Sequence, residues 1–353
     1  MGISMTEAQD RQRLFELVFG HMATQTVATA ARLKLIDAFG DEERSGAEIA
    51  DAIGTDPAVT TQLCRALAAL GILAEVKSGQ FRVTGTGALL RTDRTDSLHS
   101  FARVFTDPAI QATWRELDTA VRTGKSTFDT VHGTTFFQYV AGDPELSTFF
   151  PAALGQSAAQ TAAALPGSYD FAAFGTVADI GGGSGTVLAA ILAAHPGLRG
   201  ILYDAAPAVA RAAETLAAAG VADRCTVIPG DIGAGAPAGA DLYLLKNVLH
   251  YADDERAGTV LGNVRRVVPP HGRLLIVDPA LPETVDGSLP DSMYLSDLHM
   301  RLIGAGRGRT QAEFESLCVR AGFTVKGLTL LPPPIAFSLI EAVPDDSHDP
   351  GRR

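Results

Sequence analysis

VADIGGGSG, residues 177–185, decides the fold. Four residues suited to a buried strand, ending on an acid and an isoleucine, run into three successive glycines, a serine and a fourth glycine. The residues that follow, TVLAAILAAHP (186–196), have the apolar, alanine-rich composition of a buried helix. A strand that ends in glycines and opens a helix lets a ligand approach bare backbone at the helix N-terminus. Read as G-x-G-x-x-G from Gly181, the third glycine fails, because Thr186 stands there. The loop alone therefore does not specify a dinucleotide.

Working outward, the same alternation repeats. GILYD (200–204), CTVIPGD (225–231), ADLYLLKNVL (240–249) and RLLIVDP (273–279) read as further strands, separated by helix-like segments. Continuous apolar strands between helices indicate a parallel sheet covered on both faces. FTVKGLTLL (323–331) and IAFSLIEAV (335–343) are joined through Pro332-Pro333-Pro334, too short for a helical crossover, so they are expected to pair antiparallel.

The first part of the chain is helical. Leu14, Leu17, Val18, Met22, Ala30 and Leu33 recur at roughly helical spacing over residues 14–35. SGAEIADAIG (45–54) is a helix stopped by Gly54. Asp56 and Pro57 start the next helix, with Val59, Leu63, Leu67 and Leu70 on one face and Gly71 at its end. ILAEVKSGQFRVT (72–84) reads as a hairpin turning at Ser78-Gly79. Helix, turn, helix and hairpin outline a winged helix. DNA recognition needs cations, yet the 57–70 helix carries only Arg65, and residues 1–103 hold 11 Lys/Arg against 13 Asp/Glu. A structural or dimerising use is expected instead.

The expected organisation is a winged-helix-like dimerisation domain (1–103), a helical connector contributing to a substrate pocket (104–165), a Rossmann-like domain with a mostly parallel seven-stranded sheet (166–344) and a disordered tail (345–353). The net charge of −11 argues against nucleic acid or an anionic membrane as partner. Three separated cysteines, no signal-peptide core and no membrane-length apolar run fit a reducing cytoplasm. MGISMT fits a loose myristoylation pattern of a kind common by chance.

Acids choose the cofactor. Asp179 precedes the glycines, and Asp204, Asp231 and Asp278 stand at later strand ends. A carboxylate is unwelcome beside a pyrophosphate but suits a cationic, phosphate-free ligand, S-adenosylmethionine (SAM). Asp204 is placed for ribose hydroxyls and Asp231 for an adenine amino group. A lone aspartate at such a position is equally a helix cap. LLKNVLHYADDE (244–255) brings His250 to a strand end, either as a backbone-bonded histidine or as a base. Asp253, Asp254 and Glu255 read as a helix N-terminus rather than a metal cluster.

Taken together, VADIGGGSG, LYDAAPAV, GDIG, LLKNVLHYADDE, GRLLIVDPALPE and DLHMRLIGAGRGRTQAEFESLCVRAGF resemble the metal-independent, SAM-dependent O-methyltransferases of small molecules, the plant caffeate and bacterial antibiotic-tailoring type. The resemblance covers nearly the whole chain. It implies a homodimer that takes SAM and a small aromatic acceptor and releases S-adenosylhomocysteine. It implies SAM contacts from Asp179, Gly181, Gly183, Asp204, Asp231, Ile232 and the backbone of Lys246. His250 would be the general base and Asp278 its orienting carboxylate. Trp114, Phe137, His299 and Met300 are candidates for the acceptor pocket, with an ordinary core role open for the aromatics and for His299. Two positions depart from the family pattern. Tyr251 stands where many members have an acid, and Gly308 where many have a second orienting glutamate before the Arg-Thr pair. Relatives of this fold that bind SAM for other chemistry, hydroxylation or pericyclic rearrangement, are the alternative.

Overall fold

The computed structural model describes residues 7–332 and 335–345. The MGISMT stretch, Pro333-Pro334 and residues 346–353 of the expected tail lie outside the described residues. Two compact units are present: Met1–Gln111 with Val140–Gln156, and Ala112–Tyr139 with Ser157–Arg353. The connector expected over 104–165 is thus divided between them.

The first unit begins with helix α1 (Glu7–Arg32) and a short α2 (Leu35–Phe39), separated by a left-handed Lys34 at φ 50°. One continuous helix over 14–35 is therefore corrected to two. Ala30 of the expected apolar face is buried, but Leu14, Leu17, Val18 and Met22 are each more than half exposed. Strand β1 (Arg44–Ser45), α3 (Gly46–Ile53), α4 (Pro57–Ala69), β2 (Leu73–Lys77) and β3 (Gln80–Val83) follow. Ser45 and Glu48 close a reciprocal cap on α3, and Asp56 caps α4 by accepting from the Val59 N–H at 2.9 Å. Such a cap contributes about 1 kcal/mol. The hairpin turns at Ser78-Gly79, with Gly79 at φ 73°, and β1 pairs with β3 to complete a three-stranded antiparallel sheet. Arg65 of α4 faces Glu75 at 3.6 Å. Leu67 is buried, whereas Val59 and Leu70 remain exposed.

The second unit carries β4 (Thr176–Ile180), β5 (Arg199–Asp204), β6 (Cys225–Pro229), β7 (Leu242–Lys246), β8 (Arg273–Asp278), the short β9 (Ala280–Leu281) and β10 (Arg309–Thr310), then β11 (Phe323–Leu330) and β12 (Ser338–Pro344). The main sheet is seven-stranded in the order β11-β12-β8-β7-β4-β5-β6. Only β12 runs against the others, antiparallel to both β11 and β8. The chain moves outward from β4 to β6 and then returns to place β7 beside β4, so the strand order switches there. In open α/β sheets that crevice, outside the carboxyl ends, receives the ligand. The apolar strands bury both faces. Tyr243, Leu245, Leu274 and Ile276 pack on one side with Leu261, Phe314 and Leu317. Leu242, Leu244, Leu275 and Val277 pack on the other with Leu188, Ile191 and Leu192. Each such side chain contributes about 1.5–3 kcal/mol on burial.

One boundary matters for the site. β7 ends at Lys246 rather than at 249, because Asn247 adopts φ 55°. A left-handed residue cannot continue a strand. The chain folds into a single tight turn, Leu249–Tyr251, and His250 sits on that turn instead of at a strand end.

Candidate active site

The glycine loop is shaped by neighbours as much as by flexibility. Gly181 lies at φ 77°, its N–H donates to the Tyr203 carbonyl at 2.7 Å, and a Cβ there would stand 2.7 Å from Val248 Cγ2. Gly183 lies at φ 56° with open space where its Cβ would be. Its N–H donates to Asp204 Oδ2 at 2.9 Å, and Ala205 N–H donates to Oδ1 at 2.7 Å. Both oxygens of Asp204 keep a lone pair for a further donor. Burial raises its carboxyl above the ordinary range.

Asp179 is 1% exposed, and its Oδ1 has no hydrogen-bond partner among the described residues. Burial, followed by the charge of Asp204, pushes its carboxyl up to about 7, against the opposing charge of Lys246. An orphaned buried carboxylate oxygen is costly unless a partner arrives. Lys246, at the end of β7, has its ammonium depressed by burial and held up by Asp278 and Asp179, with Nζ 5.6 Å from the Phe337 ring centroid. Asp231 follows β6, its Oδ1 accepting from Gly233 N–H at 2.8 Å and its carbonyl from the Tyr203 hydroxyl at 3.1 Å. The neighbouring Ile232 carbonyl accepts from Asn263 at 2.8 Å. These residues line the switch-point crevice with acids and uncovered backbone and bring no cationic phosphate cradle. That donor set fits a cationic, phosphate-free cofactor such as SAM: the buried carboxylates of Asp179 and Asp204, and a bare loop for close approach.

His250 lies beside this crevice. Its Nδ1 meets Asp278 Oδ1 at 2.6 Å, while Leu249 N–H donates to Oδ2 of the same carboxylate at 3.2 Å. Asp278 is fully buried at the end of β8, the strand next to β7. Both its oxygens accept, so the proton between the two side chains belongs to Nδ1, which leaves Nε2 with a lone pair. Tyr251 packs its ring 4.3 Å from the His250 ring, and Phe137 stands 6.2 Å from Tyr251. Burial, then the charge of Asp278, pushes the Tyr251 phenol up to about 12.

Trp114 and His299 form a pair. The indole N–H donates to His299 Nδ1 at 3.2 Å, with the two ring planes within 7° of parallel and their centroids 6.2 Å apart. His299 is 4% exposed, and burial pushes its imidazole down to about 4. Met300 is buried and packs beneath Gly306, whereas Phe137 is 57% exposed. Asp253 caps helix Asp254–Arg265 by accepting from Arg256 N–H at 2.9 Å, as its place at a helix start suggested. Among the described residues no group of three or more His, Cys, Asp or Glu is arranged to hold a metal ion.

Two residues near the site escaped the sequence reading. Arg309, 1% exposed, reaches the His250 turn, and Asp297 lies against Gly308. Arg-Thr was visible as a motif, but nothing linear connects position 309 with position 249.

A sequence model of the O-methyltransferase domain matches residues 114–324, and one of the O-methyltransferase dimerisation domain matches residues 15–93. The O-demethylpuromycin-O-methyltransferase of Streptomyces alboniger is 44% identical over 336 residues, 95% of this chain and 89% of its own. The structure of the mitomycin 7-O-methyltransferase MmcR superposes with a TM-score of 0.88 at 30% identity, over 96% of this chain and 98% of that one. NcsB1, an O-methyltransferase from neocarzinostatin biosynthesis solved with SAM and 2-hydroxy-5-methyl naphthoic acid, gives a TM-score of 0.76 at 28% identity, over 91% and 95%. No helix among the described residues is long and apolar enough to cross a membrane. With its domain matched over most of the catalytic unit, its dimerisation domain matched before it, and relatives at this identity spanning nearly all of it, the chain belongs to the O-methyltransferase family and is a SAM-dependent O-methyltransferase.

Proposed function

We propose that the chain methylates a phenolic hydroxyl of a small aromatic secondary metabolite, with His250 as general base. The observation that carries this is the 2.6 Å contact between His250 Nδ1 and the buried Asp278. SAM, when bound, supplies an electrophilic methyl on a sulfonium sulfur. A phenol, with an ordinary pKa near 10, is a poor nucleophile until its proton is taken. Nε2 of His250 receives that proton, and Asp278 stabilises the imidazolium while fixing the tautomer. Gly181, Gly183 and Asp179 form the loop side of the cofactor site, Asp204 takes the ribose hydroxyls, Asp231 and Ile232 complete it toward the adenine, and the backbone of Lys246 closes the other side, next to Asp179. Trp114, Phe137, Met300 and His299 line the acceptor side. The neutral, Trp114-bound His299 serves there as a hydrogen-bonding wall and not as a second base.

The chain works as a homodimer built on the 15–93 region, whose first helix exposes Leu14, Phe15, Leu17, Val18, Phe19 and Met22. O-demethylpuromycin, the acceptor in the name of the 44%-identical relative, heads the acceptor panel, followed by simple phenols and hydroxynaphthoates. Incubated with SAM and read by mass spectrometry, a true acceptor gains one methyl as S-adenosylhomocysteine appears. His250→Ala is expected to lower kcat by about 10²–10⁴. An equally fast His250→Ala enzyme would remove the base assignment, and a product without added methyl would favour non-methylating chemistry.

A further inference from the structure

The His250 turn is gripped from below by one side chain. Arg309 Nη1 donates to the Leu249 carbonyl at 2.7 Å, and Nη2 donates to the Ala252 carbonyl at 2.9 Å. These carbonyls flank the turn that carries His250. The same guanidinium is aimed by Asp254, whose Oδ1 accepts from Nη2 at 2.9 Å and from Nε at 3.2 Å. Arg309 is 1% exposed although it lies 59 residues beyond His250 in the chain, and β10, which it opens, fixes it there by pairing with β9. From the opposite side, Asp278 holds the Leu249 N–H and the His250 ring together. Gly306, three residues earlier, leaves its Cβ position empty because any side chain there would collide with the His250 carbonyl.

We propose that Arg309 is the positioning residue of the base: its planar fork fixes the Leu249–Ala252 turn and thereby the orientation of His250 Nε2. This rests on the reading of His250 as the base. A general base must lie within hydrogen-bond reach of the proton it removes. The Leu249–Tyr251 turn has no strand ladder to hold it, since β7 stops at Lys246. A guanidinium satisfies two diverging carbonyls and a carboxylate at once, whereas an ammonium, a compact point charge, does not reproduce that fork.

The test compares Arg309→Lys with the parent full-length chain saturated with S-adenosylhomocysteine. Imidazole ¹⁵N spectra report the tautomer directly, with the His250 signal assigned by its loss in His250→Gln. The parent is expected to show one fixed Nδ1–H form. Arg309→Lys is expected to show an averaged tautomer with S-adenosylhomocysteine affinity within about threefold of the parent. On a phenol that the parent methylates, kcat is expected to fall about 10–100-fold with acceptor KM nearly unchanged. An unchanged His250 signature and unchanged kcat overturn the proposal. If Arg309→Lys does not bind S-adenosylhomocysteine, Asp254→Asn supplies the test, since it removes the carboxylate that aims the same guanidinium. Spectral loss with retained binding supports the role, and an unaltered spectrum overturns it. Full turnover by His250→Ala would remove the base reading itself, a result separate from any behaviour of Arg309.

Discussion

The backbone N–H of Gly308 donates to Asp297 Oδ1 at 2.5 Å. The two residues define each other. A Cβ at 308 would stand 2.6 Å from Leu281 Cδ1 and 3.3 Å from Asp297 Cγ, so Leu281 fills the space where a side chain at 308 would begin, with the carboxylate of helix Asp291–Ile303 tight beside it. The position that departs from the family pattern is thus not an empty one: a carboxylate stands beside it, carried by another element.

The first consequence is a stability test. Gly308→Ala is expected to lower unfolding stability by about 1–3 kcal/mol, because it overpacks Leu281. Gly308→Glu is expected to cost more, and Asp297→Ser in the same chain to recover part of that loss. Urea titration measures all three. A Gly308→Ala protein as stable as the parent would mean that the loop yields freely.

Asp179 makes stability fall as pH rises. Burial and Asp204 raise its folded pKa from 3.8 to about 7, so between these values the native state binds more protons than the unfolded one. Its favourable contribution is present at acid pH and is lost as pH climbs through 7, a swing on the order of 4 kcal/mol. Without SAM, Asp179→Asn should gain stability over the parent at pH 8 and much less at pH 5. A difference that does not change with pH would contradict the assignment.

His299 acts with the opposite sign. Burial depresses its folded pKa from 6.5 to about 4, so its contribution is present above 6.5 and is lost as pH falls through 4. His299→Gln retains an oxygen acceptor for the Trp114 N–H and removes the titration. The parent should therefore lose about 2 kcal/mol more than the variant between pH 7.5 and pH 5. Parallel stability curves for the two proteins over that range would rule out a buried neutral His299.

The exposed apolar face of α1 predicts an assembly. Leu17 is 61% exposed and Phe15 58%, too much contiguous apolar surface for an isolated helix in water. Leu17→Glu with Phe15→Glu is expected to shift the mass seen by light scattering from two chains toward one. An unchanged mass would place the dimer contact elsewhere.

The sequence by itself determined the period of the chain and the chemistry it offers. Alternating apolar strands and helices specify a parallel sheet because only burial on both faces satisfies such strands, and the short proline link forces the antiparallel β11–β12 pair seen at the edge. The strand-end acids were legible for the same reason, since a strand end is a local feature. Tertiary structure decided what linear pattern does not encode. Asn247 takes a left-handed conformation that ends β7 early and moves His250 onto a turn. Arg309 meets Leu249, and Asp297 meets Gly308, only because β9–β10 pairing and a helix bring distant segments together. Periodicity reports which face a residue buries, but not which partner it finds there, because that partner is set by the packing of elements far apart in the chain.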